Sequence, residues 1–303
     1  MIEMHNILCP TDFSDFSLRA LSHAAALARW YEARLTVLYV SSLAPAVAGF
    51  PPLVSPITLE PLSRERLLEE MHAFAQPASE GGVKVDFMIR EGAAAPEITE
   101  QARVGAADLI VMGTHGRGGF ERLVLGSVTE KVLRKAPCPV LTVSKPAEGA
   151  VPRPPSELRH ILCPLDFSAT GKEALGYALS LAERAKARLT VLYVLEWPDE
   201  EARHPHFDVP EYRRYLEEDA LRQLHASVPK EARDWCEVRE RVVAGKPWRK
   251  IVQVAAAEGA ELIVMGVHGH NALDRLLFGS TAYHVVREAA CPVLTVRGNA
   301  ARG

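Results

Sequence analysis

"RLTVLYV" fills residues 34–40, and the same seven letters return at 188–194, 154 residues later. "CPVLTV" at 138–143 likewise returns at 291–296, and "CPTDFS" from Cys9 is answered by "CPLDFS" from Cys163. An offset that holds at 153 to 154 along the chain marks duplication of a whole domain, because a solenoid would repeat every ~20–50 residues. Between the copies, "KPAEGAVPRPPSE" at 145–157 is proline-rich and lacks apolar periodicity, so it reads as a semi-extended connection. The expected division is a first domain at 1–146, a linker at 147–157 and a second domain at 158–303.

Within each copy, short β-branched runs alternate with longer helical patterns. Strands are expected near 5–9, 34–40, 83–90, 107–112 and 138–143, with helices near 16–31, 61–76, 95–104 and 127–136. In the second copy the strands fall near 159–163, 188–194, 236–243, 261–265 and 291–296. Such alternation makes a parallel sheet covered on both faces, so the fold class is α/β: two tandem doubly wound domains of five strands each. Ligands of such sheets bind outside the carboxyl ends of the strands, where the strand order reverses. With the order 3-2-1-4-5, "PTD" at 10–12 after the first strand and Gly113 after the fourth face one crevice.

The bulk numbers exclude several partners. The chain has 303 residues, 48% hydrophobic and 24% charged, with 35 Lys+Arg against 38 Asp+Glu and a net charge of -3. There is no basic stripe with interleaved aromatics, so no nucleic acid is expected. No apolar run approaches the ~20 residues of a membrane span, and "MIEMHNILCP" lacks the charged start and apolar centre of a signal peptide. A cytoplasmic protein is expected. Five cysteines without a C-x-x-C argue against a disulfide framework or a zinc site. Cys9, Cys138, Cys163 and Cys291 each precede a proline in an apolar run, where small buried cysteines are common.

"GTHGRGGFERLVLGS" at 113–127 is glycine-rich but spells neither G-x-x-x-x-G-K-[ST] nor G-x-G-x-x-G. Gly113 and Gly116 permit positive φ and close approach, so that backbone N–H groups can converge on an anion. Nine residues on, Gly126 and Ser127 open a helix whose free N–H groups and dipole favour negative charge. The second copy keeps the spacing as Gly266, Gly269, Gly279 and Ser280. Ser127 with Glu130 also spells a capping box, which needs no ligand, but Ser280 has Tyr283 in the matching place and cannot form one.

The spaced pattern G-x-x-G-x(9)-G-[ST], with a P-x-D after the first strand and "CPVLTV" after it, resembles the universal stress protein family, twice over and along nearly the whole chain. The resemblance implies an adenine nucleotide alpha hydrolase-like fold and, in the ATP-binding branch, a nucleotide across the crevice. Carried over, it implies that Pro10, Thr11 and Asp12 meet adenine and ribose, that Val40 flanks the base and that Met112 and Gly113 lie near the ribose. Gly116, Gly126, Ser127 and Val128 would hold phosphates. The matching second set is Pro164, Leu165, Asp166, Val194, Met265, Gly266, Gly269, Gly279, Ser280 and Thr281, so ATP is expected at two sites, with Mg²⁺ carried on the phosphates. Dimerisation through the last strand is also implied, here as a pseudo-two-fold between the two "CPVLTV" segments of one chain or as a homodimer.

The residues leave alternatives open. An ionised Asp12 accepts hydrogen bonds only, which suits a sugar hydroxyl or an amino group, yet it could equally cap the following helix. Arg122 and Arg275 could reach a terminal phosphate or pair with Glu121 and Asp274, and His115 and His268 stand between the glycines. Leu165 replaces Thr11 and "HNA" at 270–272 replaces "RGG" at 117–119, which weakens the second set. The long segments from Ser41 and from Leu195 could be lids or plain connections. Nothing in the sequence holds a metal or positions a hydrolytic water beyond what binding would need. The expectation is therefore a nucleotide-dependent stress-response module, with a slow ATPase and a nucleotide-free scaffold as alternatives.

Overall fold

A computed structural model of the chain describes residues 2–41, 64–116, 125–144, 158–197, 210–267 and 278–297. The first half runs β1 (Asn6–Thr11), α1 (Asp15–Tyr31), β2 (Arg34–Ser41), α2 (Arg64–Glu80), β3 (Val85–Glu91), α3 (Ala94–Val104), β4 (Leu109–Gly113), α4 (Ser127–Lys135) and β5 (Val140–Val143). The second runs β6 (His160–Pro164), α5 (Ala169–Ala185), β7 (Arg188–Glu196), α6 (Pro210–Ser227), the short α7 (Ala232–Trp235), β8 (Val238–Gly245), α8 (Pro247–Glu258), β9 (Leu262–Gly266), α9 (Ser280–Glu288) and β10 (Val293–Val296). The connection at 145–157 lies outside the described residues, as do most of both long segments after the second strands.

The strands form one ten-stranded sheet in the order β3-β2-β1-β4-β5-β10-β9-β6-β7-β8, which is 3-2-1-4-5 in the first half and its mirror order in the second. Every pairing within a half is parallel. Among the described strands only β5 and β10 run antiparallel, with Leu141 opposite Leu294 at the centre of the contact. Thr142 Oγ1 donates to the Val293 carbonyl and Thr295 Oγ1 to the Val140 carbonyl, each at 3.1 Å, so the seam is tied by the same bond twice.

Alternation of the strand side chains separates two cores, one on each face. Leu35, Val37 and Val111 look toward α1 and α2, while Leu8, Leu38 and Ile110 look toward α3 and α4, and each core continues across the seam into the second half. On α1 the buried stripe is mostly alanine (Ala20, Ala24, Ala25, Ala28), which lets the helix lie close to the sheet. Two of the departures from the expected bounds have a consequence or a cause in the packing. Helix α2 continues beyond 76 to Glu80 through Pro77, its buried Met71, Ala75 and Ala78 outweighing the backbone bond that the proline removes. Strand β1 continues through Pro10 to Thr11, and that extension shapes the site.

Candidate functional site

Strand β1 pairs with β2 as far as Thr11 opposite Tyr39, and β4 pairs with β5 as far as Gly113 opposite Val143. Between them, β1 and β4 stop pairing after Leu8 opposite Ile110. Pro10, which has no N–H to donate, stands just beyond this stop, and Pro164 stands in the same place where β6 parts from β9 after Leu162 and Ile263. The parted ends open a crevice of about 650 Å³, within the ~300–1,000 Å³ usual for small-molecule sites.

All ten first-half residues singled out from the sequence line this crevice: Pro10, Thr11, Asp12, Val40, Met112, Gly113, Gly116, Gly126, Ser127 and Val128. Ser17, Tyr39, Ile98, His115, Leu125 and Thr129 also line it. No lysine or arginine is among the described lining residues, and Arg117 and Arg122 lie outside the description, as do Glu121, Gly269, His268, Asp274 and Arg275.

The glycines serve close approach, and none of the three in the first half has positive φ. A Cβ on Gly113 would lie 2.8 Å from Phe16 Cβ and 3.0 Å from its carbonyl carbon, so the glycine lets α1 close on the end of β4. On Gly116 a Cβ would lie 2.4 Å from Asp12 Oδ2, and on Gly126 it would lie 2.9 Å from the Thr114 carbonyl oxygen. The left-handed turn falls instead on Phe13, at φ 62°, whose ring stacks on Tyr39 at 5.1 Å.

Asp12 is not the cap of α1. Ser14 caps the helix by accepting from Ser17 N, and it donates to Asp12 Oδ1 through its amide at 3.1 Å and its hydroxyl at 2.6 Å. The carboxylate therefore braces the cap from the crevice side. The capping box is not formed either: Ser127 lies inside α4, Gly126 is the N-cap without a side chain to offer, and Glu130 pairs with Arg134 at 2.8 Å. Gly126 N donates to the Thr114 carbonyl at 2.9 Å, which anchors the entry to the helix. The amides of Ser127 and Val128 in the first turn have no partner within the helix, which is the arrangement that attracts anions.

Hydroxyls hold these parts together, and those of Ser17 and Thr129 lie outside the motif. Thr11 Oγ1 accepts from Phe13 N at 3.0 Å and donates to Ser17 Oγ at 3.2 Å, joining β1 to α1. Thr129 Oγ1 donates to the Gly113 carbonyl at 2.9 Å, joining α4 to β4. His115 Nδ1 lies 3.0 Å from Thr114 Oγ1, while its Nε2 is buried with no hydrogen-bond partner among the described residues. The five cysteines are free thiols, and burial pushes Cys9, Cys138 and Cys291 up to about 12, so none is a ready thiolate.

In the second half, Pro164, Leu165 and Asp166 follow β6, Val194 lies on β7, and Met265 and Gly266 end β9. Gly279 caps α9 without a side chain, followed by Ser280 and Thr281, and Gly279 N donates to the Val267 carbonyl at 2.9 Å. The Phe167–Tyr193 stack at 5.0 Å and the Ser168 cap held by Asp166 repeat the first half.

The sequence profile described as the universal stress protein family matches residues 3–144 and again 157–297. A universal stress protein of Methanocaldococcus jannaschii is 44% identical over 140 residues, 46% of this chain and 82% of its own length. One of Mycolicibacterium smegmatis is 27% identical over 304 residues, covering 97% of both chains. The crystal structure of a universal stress protein from Archaeoglobus fulgidus superposes over 98% of both chains at 24% identity with a TM-score of 0.67, a likeness of fold.

Proposed function

The chain belongs to the universal stress protein family, and from that premise we propose that it is a nucleotide-binding stress-response module whose first-half crevice takes ATP. One observation carries the reading: the first turn of α4 lines the split between β1 and β4 with Gly126 as its N-cap, so no side chain closes it. A polyphosphate supplies the negative charge that such amides favour. Pro10, Thr11, Asp12 and Val40 would hold the base and sugar, Met112 and Gly113 the ribose, and Gly116, Gly126, Ser127 and Val128 the phosphates. The corresponding residues from Pro164 to Thr281 would form a second, weaker site.

Among the described residues no group of three or more His, Cys, Asp or Glu is placed to hold a metal. Magnesium would therefore arrive on the phosphates and keep most of its waters. Occupancy by ATP then changes the conformation or the association of the protein.

Titration calorimetry on the full chain tests the reading. ATP should give saturable heat that drops at least tenfold in affinity in Asp12→Ala, and mass spectrometry of the denatured protein should release carried ATP. No heat and no released nucleotide would leave a nucleotide-free scaffold as the function.

A further inference from the structure

Resting on the nucleotide reading above, we infer that the two halves are unequal: ATP fills the first crevice at concentrations at which the second stays empty, because hydrocarbon has replaced the second half's polar floor. The duplication makes the comparison position by position. Thr11 becomes Leu165, Ser17 becomes Gly171 and Thr129 becomes Ala282, so three hydroxyls of the first crevice are absent from the second. Thr281 in place of Val128 is the exchange in the opposite direction.

These hydroxyls set the geometry of the first crevice. The bond from Thr11 to Ser17 and the bond from Thr129 to the Gly113 carbonyl fix both strand ends against the first turns of α1 and α4. Ala282 cannot make the second bond, and Leu165 and Gly171 cannot make the first. Preorganised donors bind more tightly than the same donors left to be ordered by the ligand.

The vacated space is taken up by the protein itself. Leu165 is only 2% exposed and belongs to the apolar core, with its Cδ1 3.3 Å from where a Cβ on Gly171 would stand. Asp166 Oδ1 lies 2.5 Å from that same point while accepting from Ser168 N at 3.1 Å and Ser168 Oγ at 2.6 Å. The carboxylate itself keeps its place, since Asp12 Oδ1 accepts the same two bonds from Ser14. Bulk also rises at the rim: Phe278 stands where Leu125 lines the first crevice, and Pro247 where Ala94 does. The backbone scaffold persists, since Gly279 still caps α9 and Phe167 still stacks on Tyr193.

Calorimetric titration of the full chain with ATP should show a tight phase of about one nucleotide per chain, with any second phase at least tenfold weaker. Importing the second half's pair into the first, Thr11→Leu with Ser17→Gly, should abolish the tight phase. The reverse exchange, Leu165→Thr, Gly171→Ser and Ala282→Thr, should raise the tight stoichiometry toward two. Should either variant fail to fold by circular dichroism, hydrogen exchange on the unmodified protein decides: ATP near the tight constant should slow exchange at Leu125–Thr129 and leave Phe278–Ala282 unchanged. Two phases of equal affinity, or equal protection of both segments, overturn the inference while leaving nucleotide binding intact. No binding in any measurement overturns the nucleotide reading and this inference with it.

Discussion

Asp12 Oδ2 lies 2.4 Å from the point where Gly116 would carry a Cβ, so the loop after β4 rests against the carboxylate that braces the cap of α1. Any side chain at 116 has to displace that carboxylate. Gly116→Ala should therefore weaken ATP binding at least tenfold and cost about 1–3 kcal/mol of stability, the usual range for overpacking. Because the clash is with one side chain, the effects should not add: Asp12→Ala with Gly116→Ala should be no less stable than Asp12→Ala alone. Additive losses in urea unfolding would refute the contact.

Gly113 answers to a different neighbour. Its absent side chain makes room for Phe16 and that residue's backbone, and Gly266 does the same for Thr170 and Gly171 at 2.9 Å. Gly113→Ala and Gly266→Ala should each cost about 1–3 kcal/mol, because backbone yields less readily than a side-chain tip. Only the first should also reduce ATP affinity. Equal binding losses from both would contradict the inequality of the halves.

The seam between β5 and β10 is expected to be a main source of cohesion. Leu141 and Leu294 face each other there, 4% and 3% exposed. Leu294→Ala should lower unfolding stability by about 2–5 kcal/mol, and Thr295→Val, which removes one of the two symmetric bonds, by about 1 kcal/mol. Guanidinium titration followed by circular dichroism measures both, and unchanged midpoints would show that the halves stand without the seam.

His23 gives stability a pH dependence. It lines a small cavity of about 20 Å³ between the halves, beside Leu27, Leu181 and Leu294, and burial lowers its pKa from 6.5 to about 4. Between those values the unfolded chain binds a proton that the folded chain refuses, so stability falls as pH drops from 6.5 and levels off below about 4. The total reaches about 3 kcal/mol at ~1.36 kcal/mol per pH unit. Comparing His23→Gln with the parent at pH 7 and pH 4.5 isolates this contribution. Parallel curves for the two proteins would show that His23 does not carry it.

Much of this architecture is legible in the letters. Repeated "RLTVLYV" and "CPVLTV" disclose the duplication, and strand alternation with the reversal rule places Asp12 and Gly113 at one crevice before any coordinates. What stays hidden depends on neighbours distant in sequence. Whether a glycine serves positive φ or close approach is decided by Phe16 and Asp12 pressing on Gly113 and Gly116, roughly a hundred residues away. Ser14 outcompetes Asp12 as cap because Phe13 turns left-handed, a local choice that the motif alone does not reveal. Tyr39, Ser17 and Thr129 join the crevice through packing and hydroxyl bonds, and no spacing rule announces them.

The antiparallel contact at β5 and β10 has a directional result. Strands of the first half point one way across the shared sheet and those of the second point the other, so their carboxyl ends open on opposite rims. A single polypeptide thereby presents two openings that face opposite ways.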